Sequence, residues 1–358
     1  MLQPQPYVGI DLHRRRSVIV QRSAQGETLS ATQVTNDDVV AFAKAVSAAG
    51  EHPEVVIEAC YGWYWAVDLL EELGCRVHLA HPLGNNWGNR RVKNDLRDAE
   101  DLVDLLRLGR LAEAWIAPTE IRELRELVRH RAKLVSLRTN LKLQVYSVLA
   151  KEGVHVPMTN LFGMAGRKLL ETAKLAPAYA ARVESLLDLI EGFDRQVQIF
   201  ERDVERQLRD DAGYHAIQAI PGVGKTFAAI FVAEIGDAGR FTSPAHLCSW
   251  AGLTPRHRES DTTVKRGPIT KQGSRLVRWA AVEAAQRQAA GTKLRADFTR
   301  ITESHGDTHS ARKVARVAVA RKIELAWDPR RLHTLEARLE SWTRQRGRAR
   351  HRSATRRS

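Results

Sequence analysis

Tyr7-Val8-Gly9-Ile10-Asp11-Leu12-His13 is an apolar run that ends on a carboxylate. A second stretch repeats the pattern: Val55-Val56-Ile57 runs into Glu58. Apolar runs of this length read as buried strands, and an anion at the end of a buried strand is costly unless something pairs with it. A third acidic feature lies downstream, where Asp95 and Asp98 stand three residues apart at the start of an expected helix. Two strand-end carboxylates and an i, i+3 pair point to a shared partner of high positive charge, for which a divalent metal is the natural candidate.

Working outward, residues 7–13, 17–22 and 28–35 read as three short strands, with Gln25-Gly26 supplying the second turn. Asn36 can cap a helix running to about residue 49. A strand over 53–59, a helix over 63–73 stopped by Gly74, a strand over 75–80 and a helix over 96–108 follow. Three meandering strands and then alternating helices and strands match the mixed-sheet α/β layout of a ribonuclease-H-like domain, expected over residues 1–117. Tyr61, Trp63, Tyr64 and Trp65 cluster after Glu58; base stacking is open to them, but core packing is the expectation.

The middle of the chain has a different period. Leu127, Leu134, Leu141 and Val148 recur every seven residues, with Leu124 and Leu137 on the same stripe. Val183, Ile190, Val197 and Val204, interleaved with Leu186, Phe193 and Phe200, form a tighter heptad seam. Gly153, Pro157, Gly163, Gly166 and Pro177 break the region between them. An antiparallel coiled-coil arm over 118–212 is expected.

A helical domain is expected over 213–327. Gly222-Val223-Gly224-Lys225-Thr226 invites a phosphate-loop reading, but the first glycine of that motif falls on Ala219 and Pro221 sits inside the loop. The better reading is a helix-hairpin-helix turn, whose glycines let a helix N-terminus approach a phosphate. From Gly252 to Ser274 the chain reads as a polar, basic, glycine-punctuated loop between helices, carrying Arg256, Ser260, Lys265, Arg266 and Lys271. From chemistry alone, Ser260 reads as an ordinary loop serine.

At 358 residues and 43% hydrophobic, the chain has room for several domains and a core. Its net charge of +14 makes nucleic acid the expected partner. No apolar run approaches the length of a membrane span and no secretory signal is read, so a cytoplasmic protein without a membrane partner is expected. Cys60, Cys75 and Cys248 show no metal-ligand spacing and read as ordinary structural residues. The basic tail, 328–358, holds seven arginines in its last fifteen residues and is expected to be disordered in isolation.

Taken in order, these segments resemble the DEDD transposases of bacterial insertion sequences, also called bridge recombinases. The resemblance is carried by Val8-Gly9-Ile10-Asp11-Leu12-His13, Ile57-Glu58-Ala59 and Lys93-Asn94-Asp95-Leu96-Arg97-Asp98-Ala99. In the second half it rests on Ile220-Pro221-Gly222-Val223-Gly224, Gly252-Leu253-Thr254-Pro255, and the run from Gly267 to Arg278. It covers residues 6–290. It implies a RuvC-like first domain whose Asp11, Glu58, Asp95 and Asp98 bind Mg²⁺, with Mn²⁺ as the alternate ion. It also implies a nucleophilic serine five residues after the Gly-Leu-x-Pro proline, which falls on Ser260, so the resemblance reverses the reading from chemistry alone.

The resemblance further implies a structured noncoding guide RNA, target and donor DNA, and a homo-oligomer, dimer or tetramer, with a site that protomers share. Lys93, Gly222, Gly224, Lys225, Arg256, Lys265, Arg266 and Lys271 are the expected nucleic-acid contacts. Two departures stand out: Asn94 replaces a usual Thr, and Asp261 replaces the Gly after the serine. The competing expectations are a structure-specific nuclease that uses metal-activated water, and a non-catalytic nucleic-acid-binding protein.

Overall fold

The computed structural model describes residues 6–85, 94–261 and 263–326. The chain divides into two compact units, Met1–Ala117 and Pro118–Ser358. Lys93 and the 328–358 tail lie outside the described residues, as do the side chains of Lys265 and Arg266.

The first unit contains β1 (Tyr7–Leu12), β2 (Arg16–Arg22), β3 (Thr28–Thr35), α1 (Val39–Ser47), β4 (Glu54–Glu58), α2 (Trp63–Glu72), β5 (Arg76–Ala80), α3 (Asp95–Arg107) and β6 (Glu113–Ala114). The sheet order is β3-β2-β1-β4-β5-β6. The first three strands form an antiparallel meander. The β1/β4 and β4/β5 pairs are parallel, and β6 closes the edge antiparallel to β5. This mixed sheet is consistent with the expected ribonuclease-H-like domain.

Both faces of β1 are covered, which is why its sequence is apolar without alternation. Val8, Ile10, Ile57 and Leu79 face α1 and α2 through Phe42, Val67 and Leu70. On the other face α3 supplies Ala99, Leu102, Val103 and Leu106 against Val18, Val20, Val56 and Ala80. Gly9 makes this second contact as close as it is. A methyl group built on it would stand 2.3 Å from the Ala99 carbonyl oxygen and 2.8 Å from Val103 Cβ.

One capping expectation is corrected. The N-cap of α1 is Asp38, which accepts from the Ala41 amide at 2.9 Å. Asn36 is committed elsewhere: its amide donates to the His13 carbonyl and its oxygen accepts from Ser17, both at 2.7 Å, which pins the β1–β2 turn. Trp63 is buried as expected of a core residue, while Tyr61 is 80% exposed.

The second unit opens with α4 (Thr119–Lys151), α5 (Met164–Thr172) and α6 (Pro177–Gln207). Helices α4 and α6 run antiparallel. Arg131 meets Glu201, Arg138 meets Asp194, and Arg182 donates to Gln144, so partner positions fall on one helix as they rise on the other. The expected seam is buried at Leu134, Val148, Val183, Leu186, Ile190, Val197 and Val204. Leu137, expected on that stripe, is 38% exposed, because the straight helix drifts away from a seven-residue repeat.

The base of this hairpin joins α7 (Ala212–Gln218), α8 (Lys225–Ile235), α9 (Pro244–Trp250), α10 (Arg275–Gln286) and α12 (His309–Ala326) around one core, with α11 (Lys293–Ser304) packed on α12. Leu124 and Val128 of α4 and Val204 of α6 bury in that core with Phe227, Ile230 and Ile323. The joint is also polar. Arg125 donates to the Ala233 and Glu234 carbonyls at 2.8 and 3.0 Å. Arg129 grips the buried Glu234 carboxylate with both ends of its fork, at 2.7 and 3.0 Å.

Arg129→Ala would leave that carboxylate buried without its cation. Because Arg129 is itself half-exposed, the expected cost is about 2 kcal/mol, below the range for a fully buried pair. Chemical denaturation of the variant checks it, and Arg129→Ala combined with Glu234→Gln should recover part of the loss.

Candidate metal centre and nucleic-acid interface

Ile10 pairs with Ile57 across the parallel β1/β4 ladder. The residues that follow, Asp11 and Glu58, therefore leave the sheet side by side, on the face that α3 covers. Asn94 caps α3, accepting from the Leu96 amide at 3.1 Å, so its departure from the usual Thr keeps a capping side chain. Asp95 and Asp98 then fall in the first turn of α3. The close seat of α3 on Gly9 brings that turn to the end of β1.

Two basic side chains enter the cluster. His13 Nε2 lies 3.0 Å from Asp11 Oδ2 and 3.4 Å from Asp95 Oδ1. Arg16 donates to Asp95 Oδ2 at 2.7 Å. Asp11, His13 and Asp95 each offer a ligand atom, all within 4.8 Å of one another. Asp11 is 6% exposed, and its Oδ2 has no hydrogen-bond partner beyond the 3.0 Å ion-pair contact with His13.

Burial pushes the Asp11 carboxyl above its ordinary range; His13 pulls it back, and the charges of Asp98 and Asp95 push it further up. The hydrogen bond from Arg16 holds Asp95 below the usual carboxylate range. Burial, with Glu58 and Asp11 nearby, raises the Cys60 thiol. Thus Asp11 senses Asp95 and Asp98, and Cys60 senses both Asp11 and Glu58. The sequence reading passes over His13 and Arg16 as site residues. His13 follows Asp11 by two, the strand spacing that puts two side chains on one side, and that was the available signal. Arg16 has none.

The segment around Ser260, expected as a loop between helices, is a β-hairpin: β7 (Pro255–Ser260) pairs antiparallel with β8 (Thr263–Ile269). Ser260 is exposed at the end of β7, opposite Thr263, and the turn passes through Asp261 at φ +52°. Aspartate tolerates that left-handed conformation better than most residues. His257 bonds Glu259 at 3.1 Å, and strand alternation puts that pair on the opposite side from Ser260. Arg256 and Lys271 stand at the root of the hairpin.

That root is tightly built. Methyl groups on Gly252 and Gly273 would fall 2.1 Å from the Gln272 oxygen and 1.9 Å from the Trp250 oxygen, and both glycines have φ of +72°. The Lys271 amide donates to the Gly252 carbonyl at 3.0 Å. Arg278 donates to the carbonyls of Ala251, Gln272 and Gly273.

Behind the root, Glu324 is 2% exposed and both its oxygens lack a hydrogen bond. Burial pushes its carboxyl up to about 8, against pulls from Cys248, Arg321 and Arg278. Burial also pushes the Cys248 thiol up to about 12. A raised carboxyl favours folding while it stays protonated, so this contribution is full in acid and is lost as pH rises through about 8. Glu324→Gln should therefore flatten the decline of stability between about pH 4.5 and about pH 8, measured by urea denaturation across that window.

The turn between α7 and α8 places Gly222 at φ +83°, where a methyl group would meet the Ala284 oxygen at 2.5 Å. Gly224 is the N-cap of α8 and no side chain caps that end. Lys225 pairs with Glu205 at 2.9 Å and is exposed. Among the described residues, no helix is long and apolar enough to cross a membrane.

Comparison with known proteins adds two family matches. Residues 8–152 match the DEDD transposase model of the IS110 group. Residues 214–299 match the model of the transposase IS116/IS110/IS902 family. The chain is 31% identical over 287 residues to a Sinorhizobium fredii protein named as a transposase, y4qE, covering 78% of this chain and 70% of that one. It is 25% identical over 342 residues to the 44.8 kDa insertion element IS116 protein of Streptomyces clavuligerus, covering 78% of this chain and 84% of the other. A shorter match, 38% over 63 residues, joins it to the pilin gene-inverting protein of Moraxella bovis, covering 17% of this chain and 20% of that one.

Proposed function

Because the chain belongs to the IS116/IS110/IS902 transposase family, we propose that it cuts and rejoins the DNA of an insertion sequence through a metal-dependent, serine-linked intermediate. The observation that carries the metal half is Asp11 Oδ2, a buried carboxylate oxygen without a directed hydrogen bond, inside a set of acidic side chains. That donor chemistry fits a hard divalent cation, here Mg²⁺ or Mn²⁺. Asp11, Glu58, Asp95 and Asp98 would hold it, with His13 beside them. When bound, the ion supplies Lewis-acid polarisation of a phosphoryl oxygen.

The chain's own residues supply the rest. Arg16, already within reach of the acidic set, offers a guanidinium fork matched to a phosphate. In the proposed step, Ser260 Oγ forms a bond to phosphorus as the strand's P–O bond breaks. The serine proton passes to solvent, and the departing sugar oxygen takes one up. The phosphoserine link keeps the energy of a phosphodiester, so rejoining needs no nucleotide hydrolysis. Gly222, Gly224 and Lys225 are proposed to hold a strand phosphate at the α8 N-terminus in a helix-hairpin-helix manner, and Arg256, Lys265, Arg266 and Lys271 to grip the backbone around Ser260. Lys93 is a further backbone contact in this reading.

The same reading includes a structured noncoding RNA from the element as guide, a coiled-coil arm (118–212) between catalytic domains (1–117 and 213–327), and a cytoplasmic homo-oligomer. Its support is the resemblance and the charge of +14.

The test is denaturing electrophoresis of labelled DNA incubated with the protein, guide RNA and Mg²⁺. A covalent protein–DNA adduct is expected, and Ser260→Ala should remove it. Free cleaved ends that persist in Ser260→Ala would overturn the serine step and leave a nuclease that uses activated water.

A further inference from the structure

A cleft of about 180 Å³ opens between the first turn of α8, the base of α4 and the end of α6. Its walls are aliphatic: Val128, Ala132, Val204, Ala229 and Ile230. Two ion pairs, Arg131 with Glu201 and Lys225 with Glu205, also line it. Tyr214 belongs to the same lining, is 4% exposed, and has a hydroxyl with no hydrogen-bond partner. Glu205 and Lys225, both cleft residues, are the charges that act on that hydroxyl. A buried hydroxyl without a partner is disfavoured, and native proteins rarely keep one without a use for it.

A second feature adjoins the first. The N-terminus of α8 has glycine as its cap and no side-chain acceptor for its leading amides, and Lys225 and Thr226 of that turn line the cleft. The site therefore joins three requirements: apolar walls, one buried hydrogen-bonding group, and an anion-favouring helix end with a lysine beside it. A free phosphate has no use for the walls. A wholly apolar ligand would leave the hydroxyl unmet. A nucleobase still attached to its phosphodiester strand satisfies all three.

We infer that this cleft takes one unstacked nucleobase, its edge hydrogen-bonded to Tyr214 and its adjoining phosphate on the α8 N-terminus. The inference rests on the proposed phosphate contact at the Gly222–Lys225 turn and adds to it a base-holding function. It gives the turn a means of holding a strand in register.

The test uses single-stranded oligonucleotides carrying 5-iododeoxyuridine or 5-iodouridine. Each is irradiated with the full-length protein and the adduct is mapped by peptide mass spectrometry. An adduct on Tyr214 or a neighbouring cleft residue is expected. Ala132→Trp, which fills the cleft from its half-buried α4 wall, should lower it on the order of tenfold, the worth of one held base. The deoxy and ribo arms tell a DNA strand from a guide RNA as the source.

Tyr214→Phe gives a second readout, because the two roles predict opposite signs. A ligand-binding hydroxyl predicts unchanged or higher thermal stability with several-fold weaker strand binding; lower stability with unchanged binding overturns the inference. Lys225→Ala separates the layers. If it weakens strand binding while no adduct maps to the cleft, the base site fails and the phosphate contact stands. If it leaves binding unchanged, the phosphate contact fails and the base site with it.

Discussion

Asp11→Asn is expected to lower metal-dependent strand cleavage by about a thousandfold or more, the several kcal/mol that charge stabilisation by a bound metal supplies. The fold should survive. The Asp11 carboxyl is raised by burial and by the neighbouring Asp98 and Asp95, so in the metal-free protein its ionised form at neutral pH works against folding. A raised carboxyl stabilises the native state only in acid, and that contribution disappears as pH climbs through its folded pKa. Asparagine removes the charge and keeps the shape, so without metal the variant should melt at the wild-type temperature or above.

Adding Mg²⁺ or Mn²⁺ reverses the order. Wild type at a hundredfold excess over its dissociation constant gains about 2.7 kcal/mol, which for a protein of this size moves the melting point by several degrees. Asp11→Asn should gain little. A variant that keeps cleavage and the metal-dependent melting shift would remove Asp11 from the metal site.

The second large effect concerns a residue with no chemistry of its own. Gly9→Ala puts a methyl group 2.3 Å from the Ala99 oxygen, a distance no real contact sustains. Either α3 lifts from the sheet or β1 bends, at an expected cost of about 3 kcal/mol. Gly9→Val should exceed that and leave the first unit largely unfolded at 37 °C. The informative variant is the alanine. All four acidic residues remain, yet lifting α3 carries Asp95 and Asp98 away from Asp11 and Glu58. The metal-dependent melting shift should then shrink although no ligand has been removed. Circular dichroism melts with and without Mn²⁺ decide it; an unchanged shift in a destabilised Gly9→Ala protein would mean that the seating of α3 does not set the site.

What the sequence disclosed follows from where each element is buried. Strands β1 and β4 were legible because both their faces are covered, leaving continuous apolar runs that end on Asp11 and Glu58. The first turn of α3 was legible through its cap and its acidic pair. The β7–β8 hairpin was not. From Arg256 to Ser260 every residue is exposed, so no alternation of apolar and polar residues marks it as a strand. Its glycines and basic residues then read as a loop. His13 carried a signal only in its two-residue spacing from Asp11, and Arg16 carried none, because its place beside Asp95 appears only when the β1–β2 turn folds back. Helices α11 and α12 were not read individually within the helical domain expected over 213–327, although Ala311, Ala315, Val319 and Ile323 recur every four residues and are buried.

The hairpin has a mechanical consequence. Six strand residues span about 20 Å, with Arg278, Gly252 and Gly273 at one end and Ser260 at the other. A rotation of roughly 10° at the root would sweep the tip by about 3 Å, comparable to the approach distance of reacting atoms. A rigid hairpin seated on that root carries Ser260 wherever the root sets it. A substitution at Arg278, which holds the carbonyls of Ala251, Gln272 and Gly273 at the root, would change where the tip points without altering the tip.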